Sequence, residues 1–181
     1  AGAIAAWLHK EPMRDMFSVG VTGTNGKTTV TTLLYQIAMA ASRQSGLIGT
    51  VETRIGSEVI ETLRTTPEAP ELQSLAAVMR ERHIRNIFME VSSHAVSLNR
   101  IGGSHFDIAA FTNLSQDHLD FHTDMDSYFA AKAALFTHKY ADTAYINIDS
   151  SWAKKLLEIQ ELPVVRISRH TKSADWYFDR I

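Results

Sequence analysis

The run Gly23-Thr24-Asn25-Gly26-Lys27-Thr28-Thr29 has the residue types of a phosphate-binding loop and leads from an apolar stretch into a predicted helix. Glycines let backbone N–H groups converge on a phosphate, and the helix N-terminus adds partial positive charge. Lys27 would neutralise the β and γ oxygens of a nucleotide, and Thr28 could ligate Mg²⁺. The general pattern has Gly where this chain has Val21, so the spacing is a variant. The alternative is a glycine turn that merely joins strand to helix. The strand–loop–helix setting favours a nucleotide-binding loop, which we predict.

A carboxylate, Glu90, closes the predicted strand from Asn86 to Val91. Proteins that hydrolyse nucleotides place a Mg²⁺ ligand or a water-orienting group at the end of a buried strand beside the phosphate loop. The alternative is an exposed glutamate at a strand end. The neighbouring phosphate loop favours the Mg²⁺ interpretation.

A polar segment, Asn113 to His122, follows the predicted strand from Phe106 to Thr112. Two aspartates and two histidines lie close together in it: Asp117, His118, Asp120 and His122. They could form a metal site. Segments of this composition also serve as helix caps and solvated turns, so the residues alone leave both interpretations open.

Lys132 lies in the predicted helix from Ser127 to His138, at helical spacing from Phe129 and Phe136. That spacing puts a lysine on a core-facing stripe, where its charge is costly and its pKa shifts readily. Such a lysine either extends its ammonium group to solvent or is used chemically. A second stripe through Tyr128 and Leu135 would turn Lys132 outward, and periodicity does not decide between the two.

The elements around these residues alternate between strand and helix. Strands are predicted at Phe17 to Thr22, Gly46 to Val51, Thr53 to Glu61 with a Gly56-Ser57 turn, Asn86 to Val91, Phe106 to Thr112, Thr143 to Ile148 and Pro163 to Ser168. Helices are predicted from Lys27 to before Gly46, after Pro70, from Ser127 to His138 and from Ala153 to Ile159. This alternation predicts a three-layer α/β/α fold around a mainly parallel sheet. Ligands of such sheets bind beyond the carboxyl ends of the strands, which is where the polar segments fall.

Composition narrows the class of protein. With 181 residues, 45% of them apolar and 21% charged, the chain has the size and balance of one globular domain. A net charge of -2 argues against broad nucleic-acid or anionic-membrane binding, and the absence of cysteine excludes disulfides and thiolate catalysis. We expect a cytoplasmic protein because no apolar run is long enough to span a bilayer. The missing initiator Met and the strand-like ending WYFDRI predict a truncated piece of a longer protein.

Five motifs in order, TGTNGKTT, TTPEA, MEVSSHAVSLNR, FTNLSQDHLDFH and YFAAKAALF, resemble the central ATP-binding domain of the Mur ligases, which add amino acids to the peptidoglycan precursor. The combination of TTPE with EVSSH and NLSQDHLDFH is most similar to the UDP-N-acetylmuramoyl-tripeptide synthetase branch, the MurE type, which adds the third residue of the stem peptide. The resemblance implies a P-loop NTPase-like central domain over residues 1–181. The uridine-binding N-terminal domain and the C-terminal domain of the family would lie outside this chain.

The resemblance also implies a role for each matching residue. Gly23 to Thr29 would hold ATP, with Lys27 on the phosphates and with Thr28 and Glu90 on a first Mg²⁺. His118 would ligate a second Mg²⁺, and Lys132 matches a lysine that is carbamylated and so becomes an anionic metal ligand. Positions that hold the UDP-muramoyl peptide are matched by Thr65, Thr66, Ser92 and Arg100.

Simpler interpretations of these substrate positions remain open. Thr66 could be a helix N-cap with Pro67 at the first helical position, Ser92 could cap the next turn, and Arg100 could be a surface charge. Related enzymes can carry Asn and Gln where this chain has Arg64 and Leu98, so the detailed substrate contacts could differ.

The activity implied by the resemblance is ATP-dependent amide-bond formation through an acyl phosphate on UDP-N-acetylmuramoyl-L-alanyl-D-glutamate. The added amino acid would be lysine, meso-diaminopimelate or ornithine, and the enzyme would be a monomer with no nucleic-acid or membrane partner. The chain alone would bind ATP weakly and would not ligate. The alternatives are another amide ligase of the superfamily, of the folylpolyglutamate or cyanophycin synthetase type, and a non-catalytic nucleotide-binding module.

Overall fold

The computed structural model describes residues 1–61, 64–117 and 121–178. Its helices are α1 (Gly2–Leu8), α2 (Lys27–Ala40), α3 (Ala69–Glu81), α4 (Ser93–Ser97), α5 (Met125–Ala133) and α6 (Ser151–Ile159), with a 3₁₀ turn at Pro12–Asp15. Its strands are β1 (Phe17–Thr22), β2 (Ser45–Ile48), β3 (Thr53–Ile55), β4 (Glu58–Ile60), β5 (Asn86–Glu90), β6 (Phe106–Phe111), β7 (Ala141–Asn147), β8 (Val164–Ser168) and β9 (Trp176–Tyr177).

The described strands form one sheet in the order β4-β3-β2-β5-β1-β6-β7-β8-β9. Strand β1 is central and pairs in parallel with both β5 and β6. Antiparallel pairing is confined to β2-β3-β4, where Gly56 takes a positive φ of 59° in the predicted turn. The mainly parallel sheet confirms the predicted fold class, and the loops after β1, β5 and β6 leave it at one edge.

Helices cover both faces of the sheet, as the alternating pattern predicts. On one face, Tyr35 and Ala38 of α2 pack against Val19, Val21 and Phe88. On the other face, α3, α5 and α6 pack against the remaining core, with contributions from Leu72, Ala76, Met79, Tyr128, Phe129, Ala153 and Leu156. The middle strands are therefore buried on both sides, so their polar ends are held rigidly. None of the described helices combines the length and apolar character needed to cross a membrane.

Several element boundaries differ from the sequence-based expectation. The strand predicted to reach Val51 ends at Ile48, because Thr50 turns to donate its N–H to Glu90. The helix predicted to reach His138 ends at Ala133, since the chain tightens into turns in which Phe136 N–H donates to the Ala133 carbonyl. The short helices α1 and α4 were not predicted, because segments of this length carry too few turns to show a period.

Candidate active site at the carboxyl edge of the sheet

The phosphate loop joins β1 to α2, as its sequence predicts. Gly23 and Gly26 have φ values of 147° and 86°, in the region that favours glycine. A Cβ on Gly23 would lie 1.9 Å from Thr112 Oγ1, so the close approach of the segment after β6 also requires glycine. Gly26 is the N-cap of α2, and the helix N-terminus therefore opens directly at the loop. This is the geometry of an anion site.

Lys27 folds back over the loop. Its Nζ donates to the carbonyls of Gly23 and Thr24 at 3.0 and 2.9 Å. Burial lowers the pKa of Lys27, and the charges of Glu90 and Asp117 oppose that shift. The ammonium group is thus partly desolvated at the start of a helix, where a phosphate oxygen would interact with it strongly.

Lys132 meets the same loop from α5. Its side chain is buried, and its Nζ donates to the Gly23 carbonyl at 3.0 Å and lies 4.6 Å from the centre of the Tyr128 ring. Burial and then the neighbouring charge of Lys27 lower the pKa of Lys132 to about 7, against an opposing effect of Asp117. The side chain does not extend to solvent, so the interpretation as a solvent-reaching lysine is wrong. Two amine groups therefore converge on one carbonyl oxygen.

Glu90 is fully buried at the end of β5. Its Oε1 accepts from the Thr50 N–H at 2.8 Å and its Oε2 from the Thr50 hydroxyl at 3.0 Å. The interpretation as an exposed strand-end glutamate is therefore wrong. Sequence reasoning missed Thr50, whose only signal is a threonine near the end of the strand predicted from Gly46 to Val51. A Cβ at Gly49 would lie 2.5 Å from Glu90 Oε1, so the preceding glycine makes room for this contact.

The donor set suits a Mg²⁺ ion shared with a nucleotide. Thr28 and Glu90 line the same small hollow at the start of α2. Mg²⁺ in nucleotide sites is commonly held by one or two carboxylates, with phosphate oxygens and water completing the shell. Within the described ranges, no group of three or more His, Asp or Glu side chains is arranged to hold a metal ion by itself.

The predicted second-metal ligand, His118, lies outside the described residues. The neighbouring Asp117 raises the pKa of both Lys27 and Lys132 by its negative charge, so that charge lies near the phosphate loop. His122 is buried, with its Nε2 hydrogen-bonded to Ser93 Oγ at 2.9 Å. The segment after β6 therefore approaches the site from the side of α4 and α5.

A cleft of about 590 Å³ adjoins the loop. Lys27 and Lys132 both line it, and so do all four predicted substrate positions, Thr65, Thr66, Ser92 and Arg100. The other lining residues are Thr50, Arg64, Ser93 and His94. Residues from five separate parts of the chain meet here, because neighbouring parallel strands such as β1 and β5 end at the same edge. Of the two positions that depart from related enzymes, Arg64 lines the cleft and Leu98 is exposed at the end of α4.

The threonine pair is tied to the end of β5. Thr66 is buried, and its hydroxyl donates to the Glu90 carbonyl at 2.9 Å and accepts from the Ser92 N–H at 3.3 Å. Thr65 Oγ1 lies 3.0 Å from Thr50 Oγ1. The prediction of Thr66 as an N-cap is wrong, because α3 begins at Ala69 with Glu68 as its N-cap and the Thr66 hydroxyl is used elsewhere.

The other two substrate positions have local partners as well. Ser92 is the N-cap of α4, and its hydroxyl accepts from the Ala95 N–H at 3.1 Å, as its simpler interpretation predicts. Arg100 is largely buried, with 17% of its side chain exposed, and pairs with Glu68 at 2.9 Å. It is therefore a partly desolvated cation at the cleft and not a free surface charge.

Comparison with known proteins agrees with this geometry. A family model described as the Mur ligase middle domain matches residues 21–181. Over 176 residues the chain is 48% identical to the UDP-N-acetylmuramoyl-L-alanyl-D-glutamate--2,6-diaminopimelate ligase of Streptomyces avermitilis, covering 97% of this chain and 35% of that protein. It is 47% identical over 176 residues to a UDP-N-acetylmuramyl-tripeptide synthetase of Leifsonia xyli, covering 97% of this chain and 34% of that protein.

Solved structures show the same fold. A structure of a UDP-N-acetylmuramoyl-L-alanyl-D-glutamate--2,6-diaminopimelate ligase superposes with a TM-score of 0.85 at 27% identity, over 97% of this chain and 38% of that chain. A folylpolyglutamate synthase of Mycobacterium tuberculosis, complexed with ADP, superposes with a TM-score of 0.71 at 17% identity, over 92% of this chain and 46% of that chain, and shares the fold alone. The chain spans about a third of the length of the curated relatives it matches. With the family model matching most of its length, the chain belongs to the Mur ligase middle domain family.

Proposed function

We propose that this chain is the ATP-binding central part of a longer cytoplasmic, monomeric ligase that adds the third amino acid to UDP-N-acetylmuramoyl-L-alanyl-D-glutamate. The observation that carries the proposal is the convergence of Lys27 and Lys132 on the Gly23 carbonyl, beside a cleft lined by the threonine pair. A nucleotide held by the loop would present its terminal phosphate toward the cleft. The names of the relatives supply the class of acceptor.

The reaction has two steps. A γ-carboxylate oxygen of the D-glutamate residue attacks the γ-phosphorus of ATP, the bond to the β,γ-bridging oxygen breaks, and an acyl phosphate and ADP form. The amine of the incoming amino acid then attacks the acyl carbon, phosphate leaves with the carbon–oxygen bonding pair, and the amine loses a proton as the amide forms. Charge on the transferring phosphoryl group is the main electrostatic problem.

The chain's own groups solve that problem by position. Lys27 moves from the loop carbonyls to the β and γ oxygens, and the N-terminus of α2 provides N–H donors. Thr28 and Glu90 would hold one Mg²⁺, and Thr50 fixes the Glu90 carboxylate toward it. His118 and Lys132 would hold a second. When bound, the ions neutralise phosphate charge and align the attacking and leaving oxygens.

Lys132 is the candidate for carbamylation. A pKa of about 7 leaves much of its amine neutral at physiological pH, and only the neutral amine attacks CO₂. The nitrogen–carbon bond forms as one C=O π bond of CO₂ opens onto oxygen, and the nitrogen releases a proton. The neutral amine thereby becomes a carbamate with an anionic oxygen ligand. Because the Lys132 Nζ already lies at the loop, the carbamate would form beside the phosphates.

The acceptor would lie in the cleft. Arg100 provides a partly desolvated cation for an anionic group of the UDP-muramoyl peptide, and Thr65, Thr66 and Ser92 lie on its path to the loop. Diaminopimelate is the first amino acid to test, since relatives that are 48% and 50% identical are named for it. Lysine and ornithine are the alternatives.

The test is ADP release by the full-length protein with UDP-N-acetylmuramoyl-L-alanyl-D-glutamate plus diaminopimelate, lysine or ornithine in turn. We expect turnover only when the muramoyl substrate and one amino acid are both present. ADP release with a folate and glutamate alone would move the assignment to the folylpolyglutamate type. Absence of turnover with every acceptor, together with tight binding of a non-hydrolysable ATP analogue, would indicate a non-catalytic nucleotide-binding module.

A further inference from the structure

We infer that Asn113 is a positioning residue that holds the phosphate loop in its anion-binding shape. The inference rests on the proposed function, because it concerns how that function's nucleotide site is kept in place. Asn113 is two residues beyond the end of β6, in the segment that also carries Asp117 and His118. It contacts the loop across the sheet edge and touches neither predicted metal ligand of the loop region, Thr28 or Glu90.

The contact is a paired one. The Asn113 Oδ1 accepts from the Asn25 N–H at 3.0 Å, and the Asn113 Nδ2 donates to the Asn25 carbonyl at 3.0 Å. One side-chain amide therefore binds both polar groups of one backbone residue. Such a pair fixes the orientation of the two peptide planes that flank Asn25, which a single hydrogen bond could not do.

Two further hydrogen bonds and one close approach hold Asn113 against the loop. Thr112 Oγ1 donates to the same Asn25 carbonyl at 2.7 Å. The Thr24 N–H donates to the Asn113 carbonyl at 2.9 Å. Gly23 has no room for a Cβ because Thr112 Oγ1 would lie 1.9 Å from it. We name Thr112 and Asn113 with these contacts the clasp.

The clasp determines which N–H groups can bind phosphate. It uses the N–H groups of Thr24 and Asn25, and it binds the Asn25 carbonyl to the side-chain donors of Thr112 and Asn113. The first turn of a helix leaves its N–H groups without intrahelical partners. Phosphate binding therefore falls to the N–H groups at the N-terminus of α2, from the N-cap Gly26 onward, and Thr24 and Asn25 act by shaping the loop.

The test compares full-length variants by the dissociation constant of a non-hydrolysable ATP analogue with Mg²⁺, measured by calorimetry. Asn113→Ala removes both side-chain hydrogen bonds, and we expect about 30-fold weaker binding. Asn113→Asp keeps the size and the acceptor but sets an anionic oxygen against the Asn25 carbonyl, so we expect a loss at least as large. Thr112→Val removes one of the three hydrogen bonds to the Asn25 backbone, together with the longer Oγ1 contact to the Thr22 carbonyl at 3.3 Å, and we expect a loss of about fivefold.

Two controls separate positioning from general stability. Asn86→Ala removes a buried amide at the opposite edge of the sheet, where its Nδ2 donates to Ser45 Oγ at 3.2 Å, and we expect unchanged nucleotide affinity. In the turnover assay, the clasp variants should raise KM for ATP by the same factors and leave KM for the muramoyl substrate unchanged. A purely structural role would move both constants or neither.

Hydrogen exchange provides a readout that does not need nucleotide. The amides of Thr24 and Asn25 should exchange at least tenfold faster in Asn113→Ala than in the wild type, and in Asn86→Ala they should not change. Wild-type analogue affinity and Asn25 amide protection in Asn113→Asp would overturn the inference, even if Asn113→Ala does not fold. If the wild type itself does not bind the analogue, the proposed function fails, and the exchange rates alone then decide whether the clasp exists.

Discussion

Two clefts of similar size lie at opposite edges of the same sheet. The cleft at the carboxyl edge has a volume of about 590 Å³ and includes Lys27, Arg64, Arg100 and Lys132, with no carboxylate among its described lining residues. The cleft at the amino edge has a volume of about 640 Å³ and mixes both signs of charge: Glu11, Asp107 and Asp142 with Arg14, His105 and Lys139. Of these two clefts, the larger is the one away from the phosphate loop.

Polar side chains at the amino edge have close local partners. Asp107 Oδ2 accepts from the buried N–H of Ser18 at 2.7 Å and from its hydroxyl at 3.1 Å. His105 Nε2 lies 2.9 Å from Asp142 Oδ1. At the carboxyl edge, by contrast, two amine groups share the Gly23 carbonyl. Two buried amine groups with lowered pKa values beside a helix N-terminus are typical of a functional site. The hydrogen bonds from Ser18 to Asp107 are typical of structural contacts.

The largest expected effect is on Lys132 in the turnover assay. Lys132→Ala removes the group proposed to carry the carbamate, and we expect ADP formation to fall by about 1,000-fold. Short carboxylates such as acetate should restore part of the rate, because they can occupy the place of the lost anion. Equal addition of chloride is the control. Turnover near the wild-type rate would remove Lys132 from the mechanism.

Lys132 should also cost stability in a pH-dependent way. Its pKa is about 7 in the folded protein against 10.5 for an ordinary lysine, so between these values the unfolded chain binds more protons and stability rises with pH. The wild type bears the full cost of the buried ammonium below pH 7. At pH 6 the free energy of unfolding of Lys132→Met should therefore exceed that of the wild type by the largest amount. This difference between the two proteins should shrink by about 3 kcal/mol by pH 9.5.

Chemical denaturation of both proteins in CO₂-depleted buffer measures this difference. An amino-edge variant, Lys139→Met, makes the same replacement at an exposed lysine and is the matched control for the loss of one cation. A Lys132→Met curve parallel to the wild type would show that the buried amine keeps its ordinary affinity for protons.

The α/β sheet and the phosphate loop could be predicted from the sequence because their signals are local. The strand β1, the glycines after it and the start of α2 form one contiguous stretch, and parallel topology then requires Glu90 and the Asn113 segment to meet it. The orientation of Lys132 was not predictable, because Tyr128, Phe129, Leu135 and Phe136 are all buried and both helical stripes therefore face the core. Burial of a lysine among them depends on the Gly23 carbonyl, which comes from a distant part of the chain.

Thr50 and Thr66 also have roles in the structure that their local sequence did not predict. Each threonine fits a local role, in a strand and at a helix N-cap, and the structure uses each hydroxyl for a contact with Glu90 instead. Propensity describes what a residue does with its neighbours in sequence. A long-range hydrogen bond can override it, and it leaves no periodic signal in the sequence.

Thr50 gives the next prediction. Thr50→Val keeps the backbone N–H bond to Glu90 and the side-chain shape, and it removes the hydroxyl contacts with Glu90 Oε2 and Thr65 Oγ1. We expect kcat to fall about 30-fold, as for other residues that orient a metal ligand, with a weaker apparent affinity for Mg²⁺. Thr50→Ser keeps the hydroxyl and should stay within about threefold of the wild type. Equal rates for Val and Ser at this position would exclude an orienting role.

The smallest effect on activity is expected at the amino edge. Asp107→Ala leaves the buried N–H of Ser18 without its carboxylate acceptor, so the free energy of unfolding should fall by about 1 to 2 kcal/mol. KM for ATP, KM for the muramoyl substrate and kcat should all match the wild type at a temperature well below the unfolding midpoint. If Asp107→Ala lowered kcat at unchanged stability, the amino-edge cleft would take part in function, and the contrast between the two edges would no longer distinguish a binding site from a structural one.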